Sequence, residues 1–94
     1  MSYDNLNKVE NVVRKFTRRV RMYKEGYISI HVFLNVDSTG RKFYDTVIYR
    51  KIKKGDGFEH VRGANLKPAD VPIVIKLLKE VDEFLQAELL ETAQ

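Results

Sequence analysis

Two imidazoles, His31 and His60, a scatter of carboxylates and no cysteine are what this chain offers to the commoner kinds of catalysis. The missing thiols exclude disulfides, cysteine nucleophiles and zinc–cysteine sites. No third ligand stands at metal-site spacing from either histidine, so no metal and no other cofactor is expected. Asp37 and Asp56 fall in turn-forming stretches, where a side chain that organises its own backbone is the ordinary use. Asp45 is the one acid expected inside a strand, with a salt bridge to a neighbouring Arg or Lys as its plainest role. Gly55-Asp56-Gly57 is followed by neither Lys-Ser/Thr nor a helix start, so it reads as a turn and not a phosphate loop. A small β-sheet ribonuclease built on His60, Arg62 and a tyrosine is the one enzymatic alternative. The favoured reading is not an enzyme.

What the chain has in quantity is cations interleaved with rings. Cations neutralise phosphates and release counterions, and exposed rings stack on unpaired bases for ~1–3 kcal/mol each. Duplex DNA hides its base faces, so such a mixture is useful chiefly against single strands. The charge is also segregated. Positions 14–66 hold thirteen basic residues against five acidic ones, whereas positions 67–94 hold three against six. The formal charge of +4 and the isoelectric point near 9.4 therefore understate a strongly basic middle. A polyanionic partner is the expectation.

Ninety-four residues make one small domain, and a chain this short leaves much of its apolar surface in need of cover. Apolar residues make up 44% and charged residues 32%, with no run approaching the ~18–20 residues of a membrane span. No basic-then-apolar leader opens the sequence. A cytoplasmic or nucleoid-associated location in a bacterium or phage-infected host, or a nuclear one in a eukaryote, is expected, without membrane association.

Four strands must position these side chains. Residues 16–23 are short and basic, and Lys24-Glu25-Gly26 supplies a turn. In residues 27–36, Ile28, Ile30, Val32, Leu34 and Val36 alternate with Tyr27, Ser29, His31, Phe33 and Asn35, the period of a half-buried strand. Asp37-Ser38-Thr39-Gly40 turns the chain into a third strand over residues 41–53. Lys54-Gly55-Asp56-Gly57 turns it again into a fourth over residues 58–66. Short connections imply an antiparallel meander. With Val20 and Met22 inward, the first strand shows Arg19, Arg21 and Tyr23; with Val61 inward, the fourth shows Phe58, His60 and Arg62. The third strand has two parities, one showing Arg41, Phe43, Tyr49, Lys51 and Lys53, the other Lys42, Tyr44 and Arg50.

From Pro68 the period becomes helical, with Pro68 and Pro72 suited to a first turn and Asp70 to the positive helix end. Val71, Val74, Leu78, Val81 and Leu85 form one apolar row, and Ile73, Leu77 and Phe84 form a second, widened by Ile75. Two rows exceed what one sheet face covers, so a partner chain is expected on Val74, Leu77, Leu78, Val81, Phe84 and Leu85. Residues 1–13 read as an extension, partly mobile or briefly helical, ahead of a domain at 14–94; Val9, Val12, Val13 and Phe16 fit helical spacing but could equally extend the first strand.

Several of these stretches resemble the positive cofactor 4 family of transcriptional coactivators, single-stranded DNA-binding proteins with bacterial and phage relatives. The likeness runs over residues 27–85 and is densest over 40–66. Gly40-Arg41 matches the family's Gly-basic start of the third strand, and Asp45 with Tyr49 its Asp and Tyr four apart. Arg62-Gly63-Ala64-Asn65-Leu66-Lys67-Pro68 matches a basic-Gly-x-Ser-Leu run before a proline-opened helix, with Asn65 in place of Ser. Tyr27-Ile28-Ser29-Ile30 is similar to an aromatic-aliphatic-Ser-aliphatic stretch. Val47, Arg50 and Val61 depart from residues common in the family. Whirly-type and purine-rich-element-binding domains share a similar ββββα plan. The resemblance implies an α+β fold, a curved four-stranded antiparallel sheet followed by a long C-terminal helix (ββββα), and a homodimer joined largely through the helices. It further implies binding of single strands without sequence preference, with Arg41 and Arg62 at DNA-contacting positions.

The combined expectation is a homodimeric single-stranded DNA-binding protein acting in replication, recombination or repair, or as a transcription cofactor, alongside proteins of those processes. Its contacts would be Arg19, Arg21, Tyr27, Phe33, Arg41, Tyr49, Arg50, Lys51, Lys53, Phe58, His60 and Arg62. An RNA-binding regulator using the same surface is the alternative from another class.

Overall fold

The computed structural model describes residues 14–93; the expectation for residues 1–13 lies outside them. The chain forms four strands, β1 (Arg14–Glu25), β2 (Ile28–Asp37), β3 (Lys42–Lys54) and β4 (Gly57–Arg62), and then one helix, α1 (Asp70–Ala93). The strands are neighbours in chain order, all antiparallel, in one open sheet. The expected ββββα plan is therefore the observed one.

Turn chemistry sets the register. Glu25 faces Ile28 and Lys54 faces Gly57, so both hairpins have two-residue loops. Gly26 (φ 59°) and Gly55 (φ 60°) each take the first loop position with a left-handed backbone that a side chain resists. The β2–β3 loop is held by Asp37, whose Oδ1 accepts from the backbone N–H of Thr39 (2.9 Å) and Arg41 (3.0 Å) and from the Thr39 hydroxyl (2.6 Å). Those bonds to the ionised carboxylate hold its pKa below the usual range, the Thr39 hydroxyl contributing most.

The core follows from the alternation in β2. Ile28, Ile30 and Val32 are fully buried against Val74, Leu77 and Val81 of α1, with Val20, Tyr23, Tyr44, Ile48, Ile73, Phe84 and Leu85 packed around them. Three of the expected partner-facing residues, Val74, Leu77 and Val81, are thus consumed by the chain's own sheet. Phe84 and Leu85 are half-buried at its margin, and of the six only Leu78 is exposed. The other large apolar helix residues that are exposed are Val71, Ile75, Leu89 and Leu90.

The start of α1 is fixed by one ion pair. Arg50 Nε donates to Asp70 Oδ2 at 2.6 Å, and the Lys67 backbone N–H donates to the same oxygen at 2.7 Å. Hydrogen bonding from Arg50, then from Lys67, depresses the Asp70 pKa. The carboxylate also sits where the helix dipole favours negative charge. Lys76 closes the helix onto the first hairpin through Glu25 (2.6 Å).

β1 departs from its expected parity. A bulge between Arg19 and Arg21 inserts one residue, so Arg21 pairs with Val32 while Met22 pairs with His31. Val20 and Tyr23 therefore reach the helix side, and Met22 lies on the other face. β4 also ends sooner than expected, at Arg62, where Gly63 turns with φ 64° and its N–H donates to the Ile48 carbonyl (3.0 Å).

Candidate nucleic-acid interface

The sheet face away from α1 gathers the side chains whose register alternates with the buried set. β1 contributes Thr17, Arg19, Met22 and Lys24, and β2 contributes Ser29, His31, Phe33 and Asn35. β3 contributes Phe43, Asp45, Val47, Tyr49, Lys51 and Lys53, and β4 contributes Phe58, His60 and Arg62. The two open parities of β3 resolve to the one carrying Tyr49, Lys51 and Lys53.

Its centre is a shallow cavity of about 770 Å³ bordered by Arg19, Lys24, His31, Tyr49 and His60. His31 lies 4.6 Å from the Tyr49 ring in a tilted pair and 6.2 Å from Phe33 in a stacked one. Its Nε2 is 3.2 Å from the Ser29 hydroxyl, and its Nδ1 is 3.4 Å from Arg19 Nη1. Burial, then the charges of Arg19 and His60, hold the imidazole pKa below its ordinary value. At one end, Lys51 Nζ stands 4.6 Å over the Phe58 ring, pairing a cation with a half-exposed stacking surface.

Next to it, past the end of β4, a smaller cavity of about 160 Å³ is lined by Thr17, Phe33, Asn35, Asp45, Val47, Tyr49 and Arg62. Asn35 is fully buried at its floor. The Thr17 hydroxyl donates to Asn35 Oδ1 (2.7 Å), and Asn35 Nδ2 donates to Asp45 Oδ2 (2.9 Å). Asp45 makes no ion pair among the described residues, contrary to its expected role.

Of the twelve residues expected at the interface, Arg19, Phe33, Tyr49, Lys51, Lys53, Phe58, His60 and Arg62 share this face. Arg41 stands exposed in the β2–β3 loop. Three are placed elsewhere. The bulge turns Arg21 to the helix side, where its guanidinium lies 5.0 Å over Phe84. Arg50 points the same way and is bound to Asp70. Tyr27, in the first hairpin loop, sets its ring 5.3 Å from the Arg50 guanidinium and outside both cavities. Sequence reasoning omitted His31, Lys24, Asn35 and Asp45 from the site. The β2 alternation already put His31 and Asn35 on this face, whereas nothing short of the bulge located Lys24.

Among the described residues no cluster of three or more His, Asp or Glu side chains could hold a metal ion. No helix among them is long and apolar enough to cross a membrane. No family model matches the chain, and no curated protein or solved structure matches it either.

Proposed function

We propose that this protein binds single-stranded DNA through the open sheet face and performs no chemistry on it. The observation that carries the reading is the shared face itself. Phe33, Tyr49 and Phe58 alternate with Arg19, Lys24, Lys51, Lys53 and Arg62 on one surface that the helix leaves uncovered. The cations capture phosphates, and the rings then take unstacked bases. The resemblance to the positive cofactor 4 family supports the same use, and with it a role in replication, recombination, repair or transcription. The acidic helix lies on the far side, where it does not repel the strand.

The reading includes a second copy of the chain. Val71, Ile75, Leu78, Asp82, Leu85 and Leu89 recur at alternating spacings of four and three, the seam of a two-helix coiled coil. Val71, Ile75, Leu78 and Leu89 are exposed. The basic residues of α1, Lys76 and Lys79, stand in its first half, and Glu80, Asp82, Glu83, Glu88 and Glu91 follow. Antiparallel packing of two helices sets those unlike halves against each other, with Val71 facing Leu89 and Ile75 facing Leu85.

Fluorescence anisotropy with single-stranded DNA, duplex DNA and RNA of equal length, at two ionic strengths, tests the proposal. Single strands should bind tightest, with a log–log salt slope of roughly −0.7 per phosphate neutralised. Arg62→Ala and Arg41→Ala should each flatten that slope. Equal affinity for duplex and single strand would remove the role given to the rings. Tighter RNA binding would point to an RNA regulator, and cleavage of the probe on long incubation would point to the ribonuclease.

A further inference from the structure

We infer that the small cavity beside Arg62 selects guanine, with Asp45 as the residue that reads it; this rests on the single-strand reading above. A carboxylate is out of place on a surface that collects phosphates, since it repels them. No described cation neutralises Asp45, and it is held in position. The relay from the Thr17 hydroxyl through buried Asn35 ends on Asp45 Oδ2, which fixes the carboxylate while its other oxygen takes no hydrogen bond from the described residues.

The walls of the cavity supply the rest of a nucleotide site. Phe33 and Tyr49 offer ring surface for a base, and Arg62 offers a cation for the adjoining phosphate. A carboxylate accepts and cannot donate. Guanine alone among the four bases presents two adjacent donors on its Watson–Crick edge, N1–H and the N2 amino group, and these meet two carboxylate oxygens side by side. Adenine and cytosine set one amino donor beside a ring acceptor. Thymine flanks a single N–H with two carbonyls. Each of the three places an acceptor against the negative oxygens.

The test uses the whole chain and thymine 15-mers carrying one central substitution: guanine, 7-deazaguanine, inosine, adenine, cytosine or none. A single guanine avoids self-association of the probe. Guanine and 7-deazaguanine, which keep both donors, should bind about tenfold or more tighter than thymine, the lower end of what one bidentate base contact gives. Inosine, lacking the N2 amino group, should fall between. Asp45→Asn keeps the shape and can still accept from Asn35, so it should fold normally by circular dichroism. It should bind the all-thymine strand at least as well as the parent while losing the guanine preference. A wild-type protein that binds every strand equally, or a preference that survives Asp45→Asn, overturns the guanine site and leaves single-strand binding standing. Failure to bind any strand overturns both.

Discussion

His31 shows how much a single side chain can report about this surface. Its pKa is held below its ordinary value by burial first and by Arg19 and His60 second. Arg19 and Lys24 face it from β1, Tyr49 from β3 and His60 from β4. The ring therefore stays neutral to lower pH than an ordinary histidine, and it charges as the pH falls through its lowered pKa. A phosphate placed near it favours the charged form, so binding takes up a proton in that acid range. Affinity for single-stranded DNA should therefore rise between pH 7.5 and 5.5 at constant salt, and His31→Gln should flatten the rise. The same shift has the opposite sign for stability. A depressed histidine pKa stabilises the fold above its unfolded value, and that contribution is lost as acid charges the ring. The position of His31 on the open face was legible from the alternation in β2. The depressed pKa was not, because it depends on which residues lie across the strands.

At the scale of elements, alternation carried most of the fold, and one inserted residue set its limit. β2, β3 and β4 keep the period of two, so Phe33, Tyr49, Phe58 and Arg62 lie together as their parity requires. β1 is a run of Arg and β-branched or aromatic residues with no turn signal at Val20, and nothing in such a run marks a bulge. Arg21 and Met22 exchange faces as a result. Arg50 belongs to the other parity of β3, which two-residue periodicity alone does not choose. Its partnership with Asp70 appears only when strand and helix are brought together, and the pair is largely buried. Removing Arg50 leaves the buried Asp70 carboxylate with only the Lys67 N–H and the helix dipole to offset its charge. Arg50→Ala should lower the denaturant midpoint clearly, with DNA affinity unchanged while the chain remains folded. Because the folded pKa of Asp70 is depressed, its stabilisation is present above pH ~3.9 and is lost as acid carries the carboxylate through its lower value. Asp70→Asn should start less stable at pH 7 and lose less between pH 4 and pH 2. Equilibrium unfolding at several pH values measures both.

Residues 14–93 span 42 × 42 × 18 Å with a radius of gyration of 16.6 Å, where a compact chain of this size has about 12 Å. The core cluster joins α1 to the first three strands, and Ile52 and Leu66 stay exposed beyond it. A second copy would supply cover that the sheet does not. Leu78→Glu should give a monomer at micromolar concentration in sedimentation, with the fold retained. Val81→Glu, although in the same expected row, should unfold the chain because Val81 is buried in its own core. Asp82→Leu fills the polar position of the proposed seam and should raise a melting temperature that depends on protein concentration.

β4 begins its pairing with β3 at Tyr49 and continues to Lys54, so among the described residues the first half of β3 has β2 on one flank only. Every second peptide group from Lys42 to Val47 thus points away from the other described strands, beside the Asp45 cavity. Amide hydrogen exchange there should alternate along the sequence, fast and slow by turns, and a strand of nucleotides laid over that border would be seen as slowing of the fast set alone.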